Sequence, residues 1–363
     1  MSFTNTYLKA LALLCLLSLL NVPTYAWGFF GHQRINRMAV YTLPPEMFTF
    51  YKYHIRFITE NAVNPDKRRY AVDGEAERHY IDLDVYGDSA LYKVPRRWED
   101  AVAKYTEDTL RAYGIVPWHL QLMKYQLTKA LQERNPIKIL LLSADMGHYI
   151  GDANVPLHTT ENYNGQMTGQ YGIHGFWESR LPELFANDYD YFMEKARYIK
   201  SPLAKAWEAV TNAHLALDSV LGFEKELTKR FGEDKKYSFE TRLNMTVKVY
   251  SKEFAAAYDQ MLNGQVERRM RASIQMVGDF WYTCWVDAGQ PDLNGLLQMT
   301  PEQLKLLEEE EKEIPVNPKI NARPHDATGM NNSDDKPTYY FGRAIFGLGA
   351  YRRKNEIQQL QNN

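Results

Sequence analysis

An all-α fold is predicted from three observations. Apolar residues recur at intervals of three and four along most of the chain, charges occupy the opposite faces, and Pro or Gly stands at most junctions between the periodic stretches. Alternating, strand-like runs are few. The expected architecture is one multi-helix domain over residues 27–291, preceded by a signal peptide at 1–26 and followed by a C-terminal extension at 292–363, an acidic helix and a mostly irregular tail.

Residues 1–26 carry a single charge, Lys9, then an apolar stretch from Ala10 to Leu20 that ends in Asn21-Val22-Pro23-Thr24-Tyr25-Ala26. The stretch is too short to span a bilayer, and Ala26 supplies the small residue of a cleavage point. A lipoprotein anchor at Cys15 is the alternative, although Leu14 stands where a small residue would be wanted. The helical stretches then run 96–114, 118–135, 136–152, 201–227, 238–262 and 265–288. An acidic helix is expected over 301–314. Residues 316–337, rich in Asn, Asp and Pro, have too little apolar surface to pack alone. The aromatic stretch 338–355 either docks back on the core or contacts a membrane or partner.

Cleavage after Ala26 leaves only Cys284, so the exported form has no intramolecular disulfide, and its stability must come from core packing and bound metal. The formal charge of -2 becomes -3 without Lys9, and no Lys/Arg run exceeds three residues. A broad basic surface for nucleic-acid phosphates is not evident, but bound metals can supply positive charge locally.

The chemistry is concentrated in the run H-x3-D-x5-H-x15-H-x3-E: His148, Asp152, His158, His174 and Glu178. All five are zinc-ligand types, and both four-residue pairs fall on one helical face. The apolar run 137–142 buries the helix that ends in His148 and Asp152, giving rigid ligands, and Gly151, Asn154 and Pro156 turn the chain before His158. Five ligands exceed one open zinc site, and His32, Asp66 and His79 add to the surplus, which points to a multinuclear centre. Histidine and carboxylate without thiolate suit a catalytic site. His54, His119, His214 and His325 lack such company and read as ordinary core or surface residues.

The chain resembles the zinc-dependent phospholipase C and S1/P1 nuclease superfamily, all-helical exported enzymes whose mature N-terminal Trp binds zinc. The matching residues are Trp27 and His32 in WGFFGH, His79 in RHYID, His148 and Asp152 in HYIGD, His158 in PLH, and His174 and Glu178 in HGFWE, covering 27 to roughly 287. The resemblance implies a trinuclear zinc cleft. One ion would take the Trp27 amine and carbonyl with His32 and Asp152. A second would take Asp66, His79, His148 and Asp152, and a third His158, His174 and Glu178. Asp66 is preferred to Asp73 by its spacing to His79 and would also orient or deprotonate the nucleophile. Asp82 and Asp84 would support ligands rather than bind metal.

The implied activity is exported zinc-dependent phosphodiester hydrolysis, in which a zinc-bound hydroxide attacks phosphorus in line. Glu178 and the x15 gap resemble the phospholipases C; the five-residue step from Trp27 to His32 resembles the nucleases. The expectation is a phospholipase C-like enzyme acting on phospholipid. The alternatives are an S1/P1-type single-strand nuclease or 3'-nucleotidase, and a non-catalytic zinc-binding surface protein. No stable protein partner is implied, nor a membrane span beyond the signal segment. The destination is periplasmic, extracellular or surface-associated.

Overall fold

The computed structural model describes residues 27–242 and 245–310; the signal segment, His325, the stretch 338–355 and the rest of the tail lie outside them. Helices dominate the described residues: α1 (Trp27–Ala39), α2 (Val116–Gln132), α3 (Pro136–Ala153), α4 (Pro202–His214), α5 (Leu217–Phe231), α6 (Lys252–Leu262), α7 (Gln265–Asp287) and α8 (Pro301–Glu310). Shorter helical turns join them. An antiparallel hairpin of β1 (Tyr237–Arg242) and β2 (Met245–Tyr250) stands between α5 and α6.

α3 organises the fold. The Asn135 side chain caps its first turn, Pro136 occupies the position where a missing N–H costs nothing, and every residue from Ser143 to Ala153 is buried. A helix so enclosed can carry polar side chains only where partners await them. Gly147 and Gly151 let α1 lie close against it. A Cβ at Gly147 would stand 1.8 Å from Asn36 Oδ1, and one at Gly151 2.9 Å from His32 Nδ1. Asn36 is fully buried and donates to the carbonyls of Ala144 (3.0 Å) and Ile58 (3.4 Å), so it has little room to retreat. Gly147→Ala is therefore expected to cost roughly 1–3 kcal/mol by overpacking. The thermal midpoint reads it, and an unchanged midpoint would mean that α1 yields at no cost.

Two apolar clusters flank this contact. The larger gathers Phe50, Tyr51, Leu140, Ile150, Ile274 and Trp281 around α1 to α4 and α7. The smaller joins Val220, Phe254, Tyr258, Leu262 and Tyr250 from α5, α6 and the hairpin. Phe176 stacks on Tyr250 with ring centroids 3.7 Å apart. Nearby, Arg180 pairs with Glu240 of β1, so the hairpin anchors the segment Gly175–Arg180.

Three expected helices are interrupted. The 96–114 stretch breaks at Thr106, whose φ of 70° ends one helix while its hydroxyl caps the next through Thr109 N–H. The 201–227 stretch breaks at Leu215 and Ala216, because its halves serve different cores: Trp207 and Val210 enter the larger, Val220 and Leu227 the smaller. The N-terminal half of 238–262 is the hairpin, not helix. Its alternation in Thr-Val-Lys-Val-Tyr, with two valines, fits the period of a strand. Beyond 291, Leu293 and Leu307 are buried, so packing continues past the expected domain edge. No helix among the described residues is long and apolar enough to cross a membrane.

Candidate metal centre

The fold brings eight ligand-type side chains into one buried cluster. Among the described residues they form four overlapping groups: His32, Asp66 and His148; His79, His148 and Asp152; His158, His174 and Glu178; and His32, Asp152 and Glu178. α1 supplies His32, and the last two turns of α3 supply His148 and Asp152. The rings of His32 and His148 stack with centroids 3.8 Å apart across the glycine contact.

Asp152 sits between groups. Its Oδ2 lies 2.8 Å from His79 Nδ1 and 3.2 Å from His148 Nε2, while Oδ1 lies 3.3 Å from His32 Nε2. One carboxylate thus faces two sets of imidazoles. Asp66 Oδ1 stands 3.6 Å from His148 Nε2 and 3.7 Å from His79 Nδ1, whereas Asp73 is exposed and joins no cluster. Glu178 is also shared: Oε2 lies 2.7 Å from His174 Nε2 and 3.5 Å from His158 Nε2, and Oε1 lies 3.8 Å from His32 Nε2. Its place beside His32 goes beyond the third set alone. His174 caps a π-helical turn that carries Glu178, an i→i+5 arrangement frequent at functional sites. Trp27 begins α1, the helix of His32.

Backbone carbonyls orient most of the imidazoles. His148 Nδ1 donates to Ala62 O (2.8 Å), His158 Nδ1 to His79 O (2.6 Å) and His174 Nδ1 to Tyr163 O (3.2 Å), so each turns Nε2 into the cluster. The His79 and His158 segments are also tied by Ile81 N–H to His158 O, and by Asp84, which accepts from the Thr160 hydroxyl and Glu161 N–H. Asp84 is a brace outside the metal groups.

The donor set fits divalent cations. Both ring nitrogens of His32 and Oδ1 of Asp152 are buried without a hydrogen-bond partner, and such orphans call for a missing partner. Burial opposes charge on Asp152, but His148 and His158 outweigh it and hold its carboxyl well below the usual range. For His148, burial is likewise outweighed, by Asp152 and Asp66, which push its pKa well above the usual histidine value. Burial pushes His79 down to about 4. A cation would replace the His148 proton as the countercharge to these carboxylates.

Sequence reasoning missed two neighbours. Arg69, 2 % exposed, has Nη1 3.9 Å from Asp66 Oδ1, while its Nε and Nη1 lack hydrogen-bond partners. Its spacing three residues after Asp66 on a short helix was the available signal. Glu75, 1 % exposed, lies behind His79, and its place four residues before that histidine was the available signal. His119 packs its ring on Tyr149, His214 meets Thr159, and half-buried His54 packs between Phe50 and Tyr53; none joins a metal group among the described residues.

Fold and site together define a mostly helical protein whose buried His, Asp and Glu clusters could hold metal ions. The chain matches no protein-family model and no curated protein.

Proposed function

We propose that this protein is an exported zinc-dependent phosphodiester hydrolase of the phospholipase C and S1/P1 nuclease superfamily, with phospholipid as its substrate class. The observation that carries the reading is Arg69, a buried guanidinium whose Nε and Nη1 make no hydrogen bond and whose nearest carboxylate, Asp66 of the cluster, stands 3.9 Å away. A guanidinium with hydrogen-bond donors to spare supports an anionic substrate, since its fork of donors matches phosphoryl oxygens. Bound zinc supplies acidified water and positive charge opposite the phosphoryl group. Asp66, with its side chain 10 % exposed against 4 % or less for the other seven, is the carboxylate nearest solvent. That exposure supports a role for it in orienting the attacking water or taking its proton. Glu178 and the short His158–His174 gap support the phospholipase C-like assignment. The Trp27–His32 step supports the nuclease as second reading.

Zinc-loaded protein beginning at Trp27 is expected to hydrolyse phosphatidylcholine and to stop when chelator is added. The same preparation should leave single-stranded DNA intact. Chelator-sensitive DNA cleavage would transfer the assignment to the nuclease. Zinc at full occupancy with neither activity would favour a non-catalytic zinc protein.

A further inference from the structure

We propose that Glu75 is a positioning residue for the metal centre, selecting the ring nitrogen that His79 presents to it. The inference rests on the metal reading above and deepens it.

His79 is oriented opposite to three other histidines of the cluster. His148, His158 and His174 give Nδ1 to backbone carbonyls and turn Nε2 inward. His79 turns Nδ1 inward, toward Asp152 Oδ2 at 2.8 Å and His148 Nε2 at 3.1 Å. Its Nε2 points away, is buried, and has no hydrogen-bond partner among the described residues; Glu75 Oε1 lies 3.9 Å off. No backbone carbonyl takes the place that Ala62, His79 and Tyr163 fill for the other rings.

Glu75 is itself held. Arg78 Nη1 donates to its Oε2 at 2.9 Å, Arg68 approaches at 3.5 Å, and the Tyr149 hydroxyl bonds Oε1. Arg68 also pairs with Asp145 at 2.9 Å. Tyr149 adjoins His148 on α3 and Asp145 precedes it by one turn, so the network couples the loop of His79 to the helix of His148. A carboxylate behind a ligating imidazole favours the tautomer protonated toward it and makes the inward nitrogen a stronger donor.

Two measurements test this. In zinc-loaded protein with nitrogen-15 histidine, long-range proton–nitrogen spectra should show His79 protonated at Nε2 and ligating through Nδ1. His148, His158 and His174 should show the reverse. The same tautomer at all four would overturn the proposal, without any variant having to fold. Glu75→Gln should then weaken binding of one zinc ion about 10- to 100-fold in chelator competition. Asp145→Asn, which removes only the outer partner of Arg68 and does not touch His79, should lose clearly less zinc affinity than Glu75→Gln. Equal losses in both variants would make the network merely structural, and no loss in Glu75→Gln would also overturn the role. A parent protein that binds no zinc would overturn the metal reading itself, whereas a zinc-binding parent with an unaffected Glu75→Gln would overturn only the role of Glu75.

Discussion

Asp152→Ala protein is expected to lose zinc and turnover together. Both oxygens of this carboxylate are engaged, Oδ2 toward His79 and His148 and Oδ1 toward His32, so the substitution removes the anion common to two ligand groups. What remains there is a set of buried imidazoles with less negative charge to attract a cation. Turnover should fall on the order of 10²–10³-fold or more, the loss typical when charge stabilisation is removed from a transition state. Metal analysis on the purified variant should find less zinc per chain than in the parent. His148→Ala should behave alike, because His148 shares the same oxygen. Full activity in zinc-depleted Asp152→Ala protein would refute the scheme.

Arg69→Lys should separate metal binding from catalysis. Arg69 belongs to none of the ligand groups, and its Nη1 is 3.9 Å from Asp66, so zinc content should match that of the parent. An ammonium keeps the charge but not the planar fork of donors. Turnover on a phosphodiester should drop by about 10²-fold, the scale of one lost donor to a developing oxyanion. The loss should fall in kcat more than in KM, since the interaction matters most as charge builds on the phosphoryl oxygens. Parental kcat in Arg69→Lys would remove the main support for an anionic substrate.

Much of the centre was legible because its ligands obey local rules. His148 and Asp152 are four apart on a helix whose apolar run announces burial, and the same spacing marks His174 and Glu178. Asp66 was preferred to Asp73 on its spacing to His79, and the folded chain sets Asp66 beside His148 and leaves Asp73 exposed. Arg69 and Glu75 stand at local spacings from Asp66 and His79, three and four residues, but local spacing alone did not reveal what they do. Glu75 acquires its meaning from Tyr149, which lies 74 positions away, and Arg68 links it to Asp145, 77 positions from that arginine. No spacing along the chain encodes such partners. The hairpin was misread because the strand alternation of Val247 and Val249 is short and runs straight into the helical pattern of 252–262; in the fold Tyr250 of β2 stacks on Phe176. The break after His214 was hidden by a continuous helical pattern that serves two different cores.

Asp66, Asp152 and Glu178 belong to overlapping ligand groups joined through shared histidines, and the described chain holds its one cysteine, Cys284, buried and unbridged. Like charges so placed repel unless positive charge lies between them, either the His148 proton or, on the proposed reading, a metal ion. If the site holds an ion as proposed, folding and metal supply are linked by mass action: a site exposed to 100 times its dissociation constant of free ion gains about 2.7 kcal/mol, comparable with a native disulfide. Durability becomes a property of the surroundings as much as of the chain. On the proposed metal reading, protein supplied with the ion would be the more stable form, and protein stripped by a competing chelator the more readily unfolded one.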